Sequence, residues 1–268
     1  IGDLAWAAGD SQARGFLMGA TAGRTTLNGE GLQHQDGHSL VLASTVPNCV
    51  SYDPCYAYEL AVIVQDGMRR MFAEGENKFY YITTMNENYL QPEMPQGVEE
   101  GIIKGMYRLR QSRVVGELRV QLLGGGTILR EVEAAADILE SEYQIAADVW
   151  SLTSVNELHP EEEPRIPYVT ALLADAGGPV IAATDYIKLY ADQIREFVPG
   201  SYNVLGTDGF GRSDTRRKLR TFFEVSREYI VVAALKALAD EGRCEQQRVA
   251  EAISTLGIDP DRADPFTL

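Results

Sequence analysis

From about residue 118 onward, predicted strands and helices alternate along the chain, and this alternation constrains the fold more than any other feature. Apolar strands are predicted over 118–126, 145–152, 179–184 and 202–205, and amphipathic helices over 131–143, 186–198 and 215–223. Two further helices follow, and a glycine ends each of them, Gly242 and Gly257. Strands that alternate with helices of about 10 to 15 residues are typical of an α/β fold with a mixed, mostly parallel sheet.

The residues before this alternating part have a different pattern and predict a separate unit. A strand is followed by Asp53, predicted as the N-cap of a helix that has Pro54 at its first position. The β-branched and aromatic run over 79–84 predicts a buried strand, and a helix is predicted over about 98–109. We therefore expect a domain boundary near residue 110. The predicted domains are residues 1–110 and 111–268.

The segment GRTTLNGEGLQHQDGH, residues 23–38, combines four glycines with several titratable side chains. It contains Glu30, His34, Asp36 and His38, and so holds two of the three histidines of the chain. Glycine costs conformational entropy on folding, so this composition favours a loop that positions catalytic or ligand-binding side chains. The alternative is a structural loop whose polar groups only hydrogen-bond one another.

Two chemical roles are open for this loop. Glu30, His34 and His38 have the i, i+4, i+8 spacing of metal ligands on a helix, but the glycines disfavour a continuous helix. We therefore predict no metal site. General acid–base catalysis or recognition of an anionic substrate by His34 suits a loop better, because a carboxylate such as Glu30 nearby favours the protonated imidazole.

Two further segments are candidates for a ligand site. Asn86 and Glu87 follow the predicted strand 79–84 at its carboxyl end, where ligand sites of α/β proteins cluster. The segment GTDGFGR, residues 206–212, lies between a strand and a helix, but its spacing matches neither a P-loop nor a dinucleotide fingerprint. A tight strand-to-helix turn is the favoured interpretation of 206–212, and an anion cradle is the alternative.

The charge balance excludes some classes of partner. With 24 basic and 39 acidic residues the net charge is −15, which argues against nucleic acid and anionic membranes as partners. The three cysteines lack metal or redox spacing and fit reduced thiols in the cytoplasm. No apolar run is long enough to span a membrane, and the amino terminus does not read as a signal peptide. The pattern of this amino-terminal segment instead predicts that the chain starts inside a domain.

Several blocks of this sequence resemble a known family. GRTTLNGEGLQHQDGH, YDPCYAYELAVIVQDG, YYITTMNENY, QLLGGGTILREV, TDYIKLYADQIREFVP and VLGTDGFGRSDTR occur in this order. Together they resemble the carboxyl-terminal part of the homodimeric, bacterial-type decarboxylating component of the pyruvate dehydrogenase complex, in the transketolase superfamily. The resemblance implies that residues 1–110 are the carboxyl-terminal portion of an aminopyrimidine-binding middle domain. Residues 111–268 would then form a transketolase-like carboxyl-terminal domain.

The family resemblance implies an activity and a set of site residues. It implies thiamine-diphosphate-dependent oxidative decarboxylation of pyruvate, the step that leads from glycolysis to acetyl-CoA. The acetyl group would pass to lipoyl groups on the dihydrolipoyl acetyltransferase core. His34 and Glu30 fall on the family's active-centre histidine and glutamate, and the candidates to line the substrate are Asp36, His38, Asn86 and Glu87. The resemblance also implies a cytoplasmic homodimer that uses Mg²⁺.

The resemblance has limits that bear on function. The sequence lacks the motif that binds Mg²⁺ and the diphosphate, and it lacks the glutamate that activates the aminopyrimidine. Cofactor-binding residues are therefore not assigned, and we expect the isolated chain to be inactive. Leu158 joins directly to His159, where relatives carry a longer polar insert.

Two other functions stay open at this point. One alternative is a non-catalytic dimerisation or docking module derived from the same family, and the acidic surface would suit a basic partner. A transketolase-like ketose transferase is a further alternative, against which the GEGLQHQDGH block argues. An upstream segment that supplies the cofactor-binding half would distinguish the enzyme from the docking module.

Overall fold

The computed structural model describes residues 2–30, 34–158 and 166–268, which form two β-sheets with helices packed around them. Of the sequence features singled out above, His159 and residues 31–33 of the segment 23–38 lie outside the described residues. In the described part of the chain, no helix is long and apolar enough to cross a membrane.

The first sheet has three parallel strands in the order β1-β3-β2. Its strands are β1 (Phe16–Ala20), β2 (Cys49–Tyr52) and β3 (Phe79–Thr84), and the predicted strand 79–84 is confirmed. The helices of this part are α1 (Gly2–Asp10), α2 (Ser39–Ala43) and α3 (Ala57–Met68), which continues into a π-helical turn, Arg69–Ala73. The loop between β1 and α2 contains the candidate residues Glu30 and His34.

The prediction that Asp53 caps helix α3 is wrong. The helix begins only at Ala57, and its N-cap is Tyr56. The carboxylate of Glu59 accepts the backbone N–H groups of Cys55 (2.6 Å) and Tyr56 (2.9 Å), and so satisfies donors at this helix end. Asp53 instead remains in extended chain, because its own N–H donates to the carbonyl of Thr153 at 2.7 Å. The hydrogen bond to Thr153, about a hundred residues away along the chain, therefore keeps Asp53 out of the helix.

The second sheet has five strands in the order β4-β6-β5-β7-β8, and only β4 runs antiparallel, against β6. Its strands are β4 (Met106–Arg110), β5 (Arg119–Gly124), β6 (Ala146–Leu152), β7 (Val180–Ala183) and β8 (Tyr202–Leu205). The helices are α4 (Glu99–Ile103), α5 (Leu129–Tyr143), α6 (Tyr168–Leu173), α7 (Leu189–Asp192), α8 (Arg216–Phe222), α9 (Arg227–Asp240) and α10 (Gln246–Thr255). The expected α/β fold with a mixed, mostly parallel sheet is confirmed.

Two predicted helices are shorter than the sequence pattern indicates. The helix predicted over 98–109 ends at Ile103, and Met106 already begins β4. Gly105 separates the two elements with φ +96°, which a right-handed helix cannot contain, and its carbonyl accepts the N–H of Thr153 at 2.8 Å. The helix predicted over 186–198 is reduced to α7 and a short 3₁₀ turn, Arg195–Phe197.

Apolar side chains cover both faces of the second sheet. On one face Leu122 of β5 packs in a cluster with α5 and α9, and on the other face Leu123 packs with α6 and α7. A parallel sheet covered on both sides requires strands that are apolar at successive positions. This requirement explains why β7 is apolar throughout and why β5 and β6 have apolar residues at neighbouring positions, interrupted by Gln121 in β5 and by Asp148 and Ser151 in β6.

Replacing the buried Leu122 with alanine should destabilise the fold. Leu122 is fully buried, so Leu122→Ala should lower the free energy of unfolding by about 2 to 5 kcal/mol through lost burial and a residual cavity. Leu90, which is 94% exposed, provides the control, and Leu90→Ala should change stability by less than about 0.5 kcal/mol. Urea unfolding followed by circular dichroism measures both, and equal effects would contradict this account of the core.

Candidate active site

Loops that follow β1, β3, β7 and β8 meet at the carboxyl ends of the parallel strands. After β1, the N–H of Ala22 donates to the carbonyl of Thr84 at 2.9 Å, at the end of β3. Farther along the same loop, the carbonyl of Gly37 accepts the N–H of Ile187 at 2.8 Å, in the loop that follows β7. Because ligand sites in α/β folds lie at the carboxyl ends of strands, this meeting point is the candidate active site.

The predicted catalytic residues are exposed at this place. Glu30 and His34 both have exposed side chains, and so has His38. Asp36 is half-buried, and its Oδ1 accepts the N–H groups of His38 (3.1 Å) and Ser39 (3.0 Å). Asp36 therefore satisfies backbone donors at the start of α2. These residues lie in one loop at this place, and their catalytic and substrate-lining roles stay predictions.

A buried carboxylate, Asp185, fixes the beginning of this loop. Asp185 follows β7, and its two carboxylate oxygens accept the N–H of Thr25 at 3.1 and 3.2 Å. Burial raises the pKa of Asp185 to about 7, while the nearby charge of Arg220 opposes the rise. Gly23 has φ +89°, and a Cβ there would collide with the Asp185 carboxylate, so the approach requires glycine.

Arg24, in the loop after β1, is a second buried charge at this place. Its guanidinium donates through Nη1 to the carbonyl of Gly209, in the loop that follows β8. Burial lowers the pKa of Arg24, and the carboxylates of Asp36, Asp208 and Asp185 oppose this shift. A Cβ on Gly37 would collide with the guanidinium, so this position also depends on glycine. Arg24 thus holds the loop after β1 against the second sheet.

Glu87 lies in a network of ion pairs. Its carboxylate pairs with Arg130 of α5 (3.0 Å) and with Arg220 of α8. Arg220 also pairs with Glu131 at 3.3 Å. Asn86 is at the edge of this network, where its Oδ1 accepts from Nη2 of Arg216 at 3.5 Å. The network ties the end of β3 to helices of the second sheet, and whether Asn86 and Glu87 also line a substrate stays a prediction.

Asp53 is a buried acid that the sequence analysis assigned to a helix cap. Its Oδ1 accepts from the hydroxyls of Thr83 (2.6 Å) and Tyr186 (3.2 Å), while Oδ2 has no hydrogen-bond partner among the described residues. A Cβ on Gly126 would lie 2.8 Å from both carboxylate oxygens, so glycine allows the close packing. The position of Asp53 directly after a predicted strand was the one feature of the sequence that pointed to its burial. The sequence does not show which residues would bury the side chain.

The turn over 206–212 is hydrogen-bonded to other loops of the protein. The N–H of Thr207 donates to the carbonyl of Tyr186 at 2.8 Å, and the N–H of Arg212 donates to Oε1 of Gln35 at 2.7 Å. Asp208 accepts the N–H of Lys188 at 3.0 Å. With these donors engaged and an acidic side chain in the turn, the geometry favours a structural turn over an anion cradle.

The residues described offer no group of three or more His, Cys, Asp or Glu side chains that could hold a metal ion. Cys49 and Cys55 are buried as free thiols, and burial raises the pKa of Cys49 to about 12. The chemistry available at the meeting point therefore consists of exposed imidazole and carboxylate groups on a loop that buried charges hold in place.

Solved structures of transketolases have the same fold. A transketolase from Pichia stipitis matches with a TM-score of 0.66 over 84% of this chain and 30% of that protein, at 20% identity. Transketolase from Leishmania mexicana matches with a TM-score of 0.64 over 89% of this chain and 32% of that protein, at 18% identity. The fold thus defines an α/β protein of the transketolase-like class.

The sequence comparisons are more specific. Residues 1–92 match the family model of the pyruvate dehydrogenase E1 component middle domain, and residues 105–226 match that of the transketolase-like C-terminal domain. The chain is 61% identical to the pyruvate dehydrogenase E1 component of Pseudomonas aeruginosa and 55% identical to that of Escherichia coli strain K12, in both cases over 99% of this chain. Over almost its whole length the chain is therefore similar to pyruvate dehydrogenase E1 components.

The chain spans about a third of the length of these relatives. It covers 32% of the Pseudomonas aeruginosa protein and 31% of the Escherichia coli protein. The alignment with the Pseudomonas aeruginosa protein runs over 280 positions, more than the 268 residues of this chain, so that relative has residues without a counterpart here.

The buried Asp53 should make stability depend on pH. Burial raises its pKa from 3.8 to about 7, so between about pH 4 and pH 7 the folded state holds a proton that the unfolded chain releases. The free energy of unfolding should therefore fall as pH rises through this range. Asp53→Asn keeps an acceptor oxygen but cannot ionise, so this variant should lose the share of the pH dependence that Asp53 contributes.

Urea unfolding of the chain at several pH values between about 5 and 8 tests this prediction. Asp10→Asn, at an exposed position of α1, is the matched control and should keep the pH dependence of the parent chain. Parallel pH curves for the parent chain and Asp53→Asn would show that Asp53 does not hold its proton in the folded state.

Proposed function

We propose that this chain forms part of an enzyme that oxidatively decarboxylates pyruvate and transfers the acetyl group to lipoyl groups of an acyltransferase core. The observation that carries the proposal is the 61% identity, over 99% of this chain, to a protein named pyruvate dehydrogenase E1 component. The candidate site supports it, since the loop with Glu30 and His34 lies at the carboxyl ends of the strands.

His34 and Glu30 are the proposed catalytic residues. Both side chains are exposed, and the loop that contains them is held from its two sides. An imidazole so placed can hydrogen-bond the substrate carboxylate and can give or take a proton during the reaction. Glu30 is the proposed supporting group of His34. Asp36, His38, Asn86 and Glu87 are the proposed lining of the substrate site.

The proposed cofactors are thiamine diphosphate and Mg²⁺. The described residues do not fit the Mg²⁺-diphosphate group, because they contain no group of three or more His, Cys, Asp or Glu side chains that could hold a metal ion. In the turn over 206–212, the amides of Thr207 and Arg212 already donate to Tyr186 and Gln35. We therefore propose that other parts of a longer protein hold this group. The isolated chain is then expected to be inactive.

The proposed domain organisation has a middle-domain portion followed by a transketolase-like carboxyl-terminal domain. The sequence pattern places the boundary at residue 110. The second family model begins at residue 105, and β4 pairs within the second sheet, so both observations favour a boundary just before Met106.

The proposed partners are a second copy of the enzyme subunit, to form a homodimer, and the dihydrolipoyl acetyltransferase core in the cytoplasm. The net charge of −15 would steer a basic surface of a partner toward this chain. The same charge also favours the second candidate function, a docking or dimerisation module without catalysis. The turnover measurement below separates the two candidates.

Replacing His34 with alanine should strongly reduce turnover. In the full-length enzyme that contains this chain, His34→Ala should lower kcat for pyruvate, with an artificial electron acceptor, by at least about 100-fold, because a proton donor and acceptor is lost. Gln247→Ala, at an exposed position of α10, is the control and should keep the parent rate. The isolated chain should show no turnover.

Unchanged turnover in His34→Ala would contradict the catalytic role of His34. Absence of turnover in the full-length parent protein, with thiamine diphosphate and Mg²⁺ present, would instead favour the docking module.

A further inference from the structure

The segment that contains Glu30 and His34 is hydrogen-bonded on both sides to one loop of the second sheet. Before Glu30, the N–H of Gly29 donates to the carbonyl of Asp214 at 2.9 Å, and the hydroxyl of Ser213 donates to the carbonyl of Gly29 at 3.0 Å. After His34, the side chain of Gln35 is bonded to Arg212. Gly29 and Gln35, which flank the two proposed catalytic residues, thus both bond to the loop that follows β8.

The contact of Gln35 is unusual for a glutamine side chain. Its Nε2 donates to the carbonyl of Arg212, and its Oε1 accepts the N–H of the same residue at 2.7 Å. The planar amide therefore pairs with one backbone unit as a neighbouring strand would. Gln35 is only 6% exposed, although glutamine is mostly a surface residue, while the adjacent His34 is exposed.

The residue that Gln35 binds is itself fixed. The guanidinium of Arg212 lies over the ring of Phe222 in α8, 5.5 Å from its centroid. Earlier in the same loop, the carbonyl of Gly209 accepts the buried guanidinium of Arg24. The contact with Phe222 and the bond at Gly209 therefore both restrict the position of Arg212. A side chain bonded to it acquires a defined position.

We propose that Gln35 is a positioning residue for His34. By pairing with Arg212, in the loop that follows β8, Gln35 fixes the backbone from which the His34 imidazole projects. This inference rests on the proposed function of His34. The two residues are consecutive, so a displacement of Gln35 moves the Cα from which the imidazole projects. Misplacing a reacting group by about 1 Å can cost on the order of 100-fold in rate.

Turnover of Gln35 variants in the full-length enzyme provides the first test. Gln35→Ala and Gln35→Leu remove both hydrogen bonds, and Leu also keeps much of the volume. Each should lower kcat for pyruvate by about 10- to 100-fold and change KM by less than about threefold. Gln247→Ala is the matched control, because that amide bonds only to Glu251 on the exposed face of α10, and it should keep the parent kcat.

A double mutant separates positioning from a general structural effect. If Gln35 acts through His34, adding Gln35→Ala to His34→Ala should lower kcat by less than about twofold further, since the positioned group is already absent. Amide hydrogen exchange gives a readout that does not depend on activity. The N–H of Arg212 should exchange faster in Gln35→Ala than in the parent protein, while exchange in the core strand β5 stays the same.

The outcomes that overturn the inference are distinct. Parent-like kcat in Gln35→Ala, when His34→Ala is impaired, overturns the positioning role and leaves the proposed function intact. A further loss of tenfold or more in the double mutant, or unchanged exchange at Arg212, also overturns it. Parent-like kcat in His34→Ala overturns the proposed role of His34 and the positioning role with it.

Discussion

The hydrogen bonds from Thr25 to the carboxylate of Asp185 are the contact on which the site depends. They join the loop that leaves the first sheet to the end of a strand of the second sheet. Gly23 permits the approach, because any side chain there would collide with the carboxylate. Together with the hydrogen bond from the N–H of Arg24 to the carbonyl of Asp185 at 3.2 Å, this contact fixes the start of the loop over the second sheet.

Charged groups, together with the apolar contacts of Ala22 and Leu40, hold the two sheets together at this end. Arg24 bonds to Gly209, Glu87 pairs with Arg220, and Arg220 pairs with Glu131. Buried charges are costly unless they are paired, so each of these groups is restricted to one arrangement.

Much of the fold could be predicted from the sequence because local periodicity determines it. The strand 79–84 and the helix over 131–143 are examples, since their apolar spacing reports burial directly. Glu30 and His34 could be singled out because their residue types and glycine neighbours are unusual. Asp53 and the helix predicted over 98–109 were misassigned, since contacts with distant Thr153 decide both conformations. Gln35 gave no signal, because its partner Arg212 is 177 residues away in the sequence.

The bonds that orient the loop lie within this chain, and this determines how the proposed catalytic work is divided. Gly29, Gln35 and Arg24 all bond to the loop that follows β8. The described residues provide no ligand cluster for the metal of the proposed cofactor. Under the proposed function the site would be composite: this chain would position the groups proposed to handle the substrate's charge and protons, and another part of a longer protein would bring the cofactor. Such a division requires the loop to be accurately placed beforehand, since a flexible imidazole would lose the advantage of proximity when the two parts meet.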